Sequence, residues 1–283
     1  MEKFTRITEI TDFLKRQREH GLKVGFVPTM GALHEGHLTL VKRSKLENDL
    51  AVCSIFVNPI QFNNKEDLIK YPRNLAWDSK LLEESGCDLI FAPEIIEMYP
   101  EGDSFTLNVE FGMLDKVMEG KFRPGHFNGV AIVVKKLFDI VQPTRSYFGK
   151  KDFQQLAIIQ HMVNVLQLPV KVVPCETIRE SDGLAMSSRN IRLTIAERNL
   201  APNIYLVLSK VKEKVGKLPV NELKEWAIKK IQEINGFRVE YFEIGDKESL
   251  MPIESWKHKD RAVAFVAVFL GDVRLIDNIE LFS

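Results

Sequence analysis

The sequence predicts an α/β protein: a Rossmann-like, doubly wound parallel sheet followed by a smaller α+β C-terminal domain. Two features lead there. Up to Cys175, short apolar runs alternate with helical patterns, and strands that are apolar throughout belong to parallel sheets covered on both faces. After Cys175 the alternation stops, and a polar, aperiodic loop leads into two helical patterns and three strand-like runs.

In chain order, residues 1–21 have the spacing of an amphipathic helix and lack the apolar stretch of a secretion signal. Residues 22–27 read as a buried strand ending at Pro28-Thr29, and a helix follows through about Glu47. Residues 51–57 form the next strand, closed by Asn58-Pro59 and then a charged loop. A helix over 75–85 and a strand over 88–92, halted by Pro93, come next. Helix 126–141, strand 146–148, helix 152–166 and strand 170–173 complete the alternation. Beyond the loop ETIRESDGLAMSSRN, helices are expected over 194–215 and 220–235, the second stopped by Asn235-Gly236. Strands are expected over 238–244, 262–269 and 273–276, the last two joined by a Leu270-Gly271-Asp272 turn. A boundary near residue 176 separates a domain of residues 1–176 from one of residues 177–283.

Composition narrows the class. Lys and Arg number 39, as do Asp and Glu, and the hydrophobic share is 45%. Collagen-like, disordered and disulfide-scaffold proteins are excluded. Zero net charge argues against nucleic-acid or anionic-membrane partners, since both rely on surplus Lys and Arg. Cys53, Cys87 and Cys175 are widely spaced with no CxxC pair, so neither a disulfide framework nor a zinc site is indicated. No run approaches a membrane span. The expectation is a reduced, cytoplasmic protein.

The strongest motif is PTMGALHEGH, from Pro28 to His37, which leaves a strand and enters a helix. Helix N-termini present unpaired amides to phosphate. Gly31 and Gly36 allow close backbone approach, and His34 and His37 lie three apart, able to donate to phosphoryl oxygens as charge develops. Standing alone, the same residues would be a capped helix and a turn. GLAMSSRN offers Ser187, Ser188 and Arg189 as a polyphosphate clasp. GKKDFQQ follows a strand, so Lys151 can face phosphate and Gln155 a small polar substrate, while Asp152 binds ribose or caps the next helix. In NPIQFNNKEDLIKYPR, Asn58 and Gln61 suit a small hydroxy-acid, and Asp78 beyond it is a possible magnesium contact. Arg123 and His126, in EGKFRPGHFNGV, suit a substrate carboxylate or a structural role.

Together these stretches, in this order from VPTMGALHEGH to VRLIDNI, resemble the pantothenate synthetase (pantoate–β-alanine ligase) family, within the HIGH/KMSKS nucleotidylyltransferases. The resemblance implies ATP-dependent joining of pantoate to β-alanine through pantoyl adenylate, releasing AMP and pyrophosphate, with ATP and Mg2+ required and a homodimer formed. It implies that Met30, Gly31, Ala32, Leu33, His34, Glu35, Gly36 and His37 line the ATP site. Gly149, Lys150, Lys151, Asp152, Ile178, Met186, Ser187, Ser188 and Arg189 would contact ATP as well. His34, His37 and Lys151 would be catalytic, and the family's proton donor falls on His37. Gln61 and Gln155 would hold pantoate, with Asn58, Arg123 and His126 in support, and Asp78 would be the protein's contact to magnesium. Two departures stand out: Lys150 where the family usually has Glu, and Arg192 where it often has Tyr. The competing functions are another nucleotidyl transfer, such as tRNA charging, adenylation of another small carboxylate, or a non-catalytic adenylate sensor. The first lacks a basic recognition surface, and a sensor would be expected to have lost His37 or Lys151.

Overall fold

The computed structural model describes residues 1–63, 65–100 and 106–282. Six strands form a wholly parallel sheet in the order β1-β4-β3-β2-β5-β6. β1 is Glu2–Phe4, β2 Val24–Thr29, β3 Leu50–Ile55, β4 Leu89–Phe91, β5 Arg145–Gly149 and β6 Lys171–Cys175.

The inner strands β2, β3 and β4 are buried on both faces, which is why they are almost wholly apolar. Successive strand side chains point to opposite sides. Val24, Phe26, Val52, Leu89 and Phe91 meet Ile10 and Leu14 of helix Ile7–Glu19, Val130 and Val134 of helix His126–Val141, and Ile158 of helix Phe153–Val165. Val27, Cys53, Ile90 and Tyr147 face the other way, onto Leu38 and Val41 of helix Glu35–Glu47 and Leu82 of helix Leu75–Glu84. At Gly25 a Cβ would come within 2.2 Å of Ser44 Oγ, so the helix after β2 rests directly on the strand there.

Helices change side where strand order reverses, between β2 and β5. These strands pair only through Gly25↔Arg145 and Phe26↔Ser146. Their C-terminal ends then part, opening the crevice in which doubly wound sheets bind ligands.

The second sheet is antiparallel, β7 (Phe237–Asp246), β8 (Ala262–Leu270) and β9 (Val273–Glu280), with β8 central. One face of β8, including Ala264, Val266 and Val268, packs beneath helices Asn203–Lys214 and Val220–Gln232. Val263 and Phe265 on its other face meet Met118 and Ala157 of the N-terminal half. Burial on both sides again accounts for an uninterrupted apolar run, AVAFVAVFL.

Several elements differ from expectation. The N-terminal segment is not helical from its start: Glu2–Phe4 pairs with β4 at the sheet edge, and the helix begins at Ile7. Three residues are too few to show a strand period. The helical pattern over 194–215 divides into Ile195–Leu200 and Asn203–Lys214, because Pro202 lacks the amide a continuous helix needs. Part of the charged loop is a short helix, Lys65–Lys70. Among the described residues, no helix is long and apolar enough to cross a membrane.

Candidate active site

The site forms where β2 and β5 part. The Thr29 hydroxyl donates to the Ser54 carbonyl at 2.7 Å and accepts from the Gly31 amide at 3.2 Å. Gly31 and Ala32 then adopt left-handed backbone, with φ of 78° and 52°. The turn directs the Ala32 and Leu33 amides onto the Asp78 carboxylate at 3.0 and 2.8 Å. A Cβ at Gly31 would stand 2.9 Å from Asp78 Oδ2, so the position is closed to other residues by contact as well as by conformation. Asp78 is only 1% exposed and lies outside the cavity lining. The structure therefore gives it a different place from the magnesium contact expected above: each oxygen already serves a loop amide inside the fold.

His34 caps helix Glu35–Glu47, and His37 is its third residue. The His34 amide donates to His37 Nδ1 at 3.4 Å, and the two rings lie 4.1 Å apart at 42°. A Cβ on Gly36 would meet the His34 ring at 2.9 Å, so glycine is what lets the ring lie across the helix start. Burial, then the charge of Lys151, pushes His34 down to about 4. Burial, then His34 and Lys151, pushes His37 well below its ordinary value. Both rings are neutral at pH 7. Met30, His34, Gly36 and His37 line the cavity. Gly31, Ala32 and Leu33 instead build the turn around Asp78, and Glu35 faces outward to Lys42 at 2.7 Å.

The opposite wall comes from the end of β5, where Gly149, Lys151, Asp152 and Gln155 line the cavity. Asp152 makes no side-chain cap to the helix it precedes; it sits 3.7 Å from Lys151. Gln154 looks inward, accepting from the Glu119 amide at 3.0 Å and donating to the Leu114 and Val117 carbonyls. Lys150 is not a lining residue. It is paired with Glu176 and Glu280, each at 2.7 Å.

At the other end, Gln61 Nε2 donates to Met30 Sδ at 3.1 Å. Asn58 lies behind it, 1% exposed. Asn58 donates to Gln61 Oε1 at 3.0 Å and to the Gly129 carbonyl at 3.1 Å, and accepts from the Tyr99 hydroxyl at 2.9 Å. It orients Gln61 and does not reach the cavity. His126 and Arg123 line the cavity. His126 Nδ1 donates to the Gln61 carbonyl at 2.8 Å; since a carbonyl only accepts, Nε2 of the neutral ring carries a lone pair. Burial, then Arg123, pushes His126 down to about 4.

Ile178, Met186, Ser187, Ser188 and Arg189 form the roof. Several bonds hold it down. Arg189 and Arg192 share Asp67 at 2.8 and 2.9 Å. Asn278 donates to the Lys150 and Lys151 carbonyls at 2.9 and 2.8 Å. Arg274 makes a bidentate pair with Glu119 (2.7 and 2.8 Å), which also accepts from the Tyr241 hydroxyl at 2.8 Å. Burial would raise Glu119, but Arg274 holds it down to about 2. Sequence reasoning missed Asp67, Glu119 and Arg274. Only Glu119 left a local trace, four residues before Arg123, with which it pairs at 3.6 Å; the 155-residue separation from Arg274 leaves none.

The fold is thus a doubly wound α/β sheet with a histidine-capped helix at its switch point and a Ser-Ser-Arg roof above. The particular family follows from comparison. Residues 2–280 match the pantoate-beta-alanine ligase family, and the chain belongs to that family. It is 50% identical over 280 residues to the pantothenate synthetase of Azobacteroides pseudotrichonymphae genomovar. CFP2, covering 99% of both chains. It is 51% identical over 274 residues to that of Bacteroides thetaiotaomicron, covering 97% of this chain and 96% of the other. The crystal structure of pantothenate synthetase from Thermus thermophilus superposes with a TM-score of 0.93 at 45% identity, covering all of both chains. The pantoate-beta-alanine ligase of Francisella tularensis, complexed with beta-gamma ATP and beta-alanine, superposes at 0.83 with 34% identity, covering 99% of this chain and 98% of that one.

Proposed function

We propose that the chain condenses (R)-pantoate with β-alanine at the expense of ATP, through pantoyl adenylate. The observation that carries this is one cavity, at the switch point, in which neutral His34 and His37, Lys151 and Arg189 face the amides of Gln61 and Gln155. The first group suits a phosphate chain and the second a small hydroxy-acid. A pantoate carboxylate oxygen attacks the α-phosphorus, and the bond to the β-phosphate oxygen breaks with departure of pyrophosphate. The β-alanine amine then attacks the acyl carbon, the bond to AMP breaks, and the nitrogen sheds a proton. His37 Nε2–H, His34, Lys151 and Ser187–Arg189 hold the phosphoryl oxygens while charge moves. Gln61 and Gln155 hold pantoate; Arg123 and His126 flank its carboxylate.

Magnesium would be held chiefly by the triphosphate of ATP, where it would offset the phosphate charge. Among the described residues no group of three His, Cys, Asp or Glu could hold a metal ion. Residues 177–283 act as the lid, bonded to the sheet domain through Asn278, Arg274 and Arg189, and keep water from the adenylate. The enzyme works as a cytoplasmic homodimer, which sedimentation would test; three free, buried thiols accord with a reducing compartment.

The test is pyrophosphate release. With ATP, magnesium and pantoate alone, a burst stoichiometric with enzyme is expected, and adding β-alanine should give continuous AMP formation. No release with pantoate would overturn the assignment and favour another carboxylate or a sensor.

A further inference from the structure

Asp67 divides one carboxylate between two arginines. Its Oδ2 accepts from Arg189 Nη2 at 2.8 Å and its Oδ1 from Arg192 Nη1 at 2.9 Å. The partners lie 122 and 125 residues further along the chain, so the contact joins helix Lys65–Lys70 to the roof loop. Arg189 lines the cavity assigned above to ATP, whereas Arg192 lines only the adjoining one, of about 560 Å³, as does Asp67. Side-chain exposures of 24% for Asp67, 30% for Arg189 and 29% for Arg192 put the trio at partial burial. Burial would raise Asp67, but the two guanidinium groups hold its carboxyl below the ordinary range.

A carboxylate here opposes a triphosphate in two ways: it repels the phosphates, and it competes with them for Arg189. We propose that Arg192 is a positioning residue that keeps Asp67 charge-compensated, so that Arg189 is free to turn to the nucleotide phosphates. The proposal rests on the assignment of this cavity to ATP. When ATP enters, the Arg189–Asp67 bond is exchanged for a phosphate contact while the Arg192–Asp67 bond persists and continues to tie the roof loop to helix Lys65–Lys70. Arg192 then acts on ATP only through Asp67.

The experiment is an equilibrium titration with magnesium-ATP, run beside pantoate-dependent pyrophosphate release and thermal unfolding. Arg192→Gln should weaken ATP about fivefold, the scale of one partly exposed ion pair, with the KM for pantoate unchanged. Adding Asp67→Asn should restore affinity to within about twofold of the unmodified chain, because the competing carboxylate is gone. Glu66→Gln, which repairs the same net charge one residue away, should not rescue. Asp67→Asn alone should bind ATP at least as tightly as the unmodified chain, which keeps the proposal testable if Arg192→Gln fails to fold. Unchanged ATP affinity in Arg192→Gln overturns it. Lack of rescue overturns it too and would place Arg192 on the phosphates directly. Equal rescue by Glu66→Gln would overturn it by reducing the effect to net charge. Failure of the ligase assignment shows separately, as ATP binding without pyrophosphate release; absence of ATP binding by the unmodified chain overturns both.

Discussion

The His34 amide donates to His37 Nδ1 across 3.4 Å, which leaves the proton of a neutral His37 ring on Nε2. The ring is kept neutral by burial and by its cationic and imidazole neighbours. In the free protein His37 is therefore built as a hydrogen-bond donor, held in one tautomer by the backbone of its own helix cap.

Replacing His37 tests that assignment. His37→Gln keeps an N–H donor and should slow adenylate formation about tenfold, whereas His37→Ala should cost about a hundredfold, the scale of one lost transition-state donor. Single-turnover pyrophosphate release measures both. Across pH 6 to 8 the unmodified rate should show no fall with rising pH attributable to this residue; such a fall would mark His37 as a proton-donating acid.

Stability should depend on pH through the buried histidines. His34 and His126 titrate at about 4 in the folded chain, against about 6.5 unfolded. The unfolded state thus binds more protons between those values, so stability is complete above pH 6.5 and is lost as pH falls toward 4. From pH 7 to pH 5 the loss should be about 1–2 kcal/mol for His126. Urea titrations at the two pH values, with His126→Asn as the comparison, should show the variant less sensitive. Equal sensitivity would mean that His126 is not held neutral.

Asp78 supports the phosphate-facing loop through two buried amide bonds. Asp78→Asn turns an amide group toward a backbone donor, so a loss of about 2–3 kcal/mol in stability is expected, together with slower adenylate formation. The magnesium concentration giving half-maximal rate should not change. A large shift in that concentration would restore Asp78 as a metal contact.

Gly129 allows helix His126–Val141 to lie against the Gln61 segment. A Cβ there would come within 2.6 Å of the Ile60 carbonyl oxygen and 2.8 Å of Gln61 Cα. Gly129→Ala should cost about 1–3 kcal/mol by overpacking. It should also raise the KM for pantoate more than that for ATP, because the displaced group is Gln61. Equal effects on both substrates would separate Gln61 from pantoate.

The inner strands of the first sheet were legible because burial on both faces makes them apolar along most of their length, and the site motifs were legible because they end such strands. Pro28-Thr29-Met30-Gly31 announced a turn, and the structure shows one, with left-handed backbone at Gly31 and Ala32. Two kinds of feature were not legible. Glu2–Phe4 is too short for a period, and its strand character comes from pairing with β4. The fates of Lys150, Asp78 and Asn58 were set by partners distant in sequence: Glu280, the Ala32 and Leu33 amides, and the Gly129 carbonyl.

By itself the sequence determined the alternation of elements, the two-part layout and the motifs that mark the family, because periodicity, turn chemistry and helix starts are properties of neighbouring residues. Only the tertiary structure decided which motif residues face the cavity, and that Asp67 and Glu119 are tied to Arg189, Arg192 and Arg274. Those relationships join segments more than a hundred residues apart. They exist because folding brings the segments within hydrogen-bonding distance, and no local pattern in the chain records that approach.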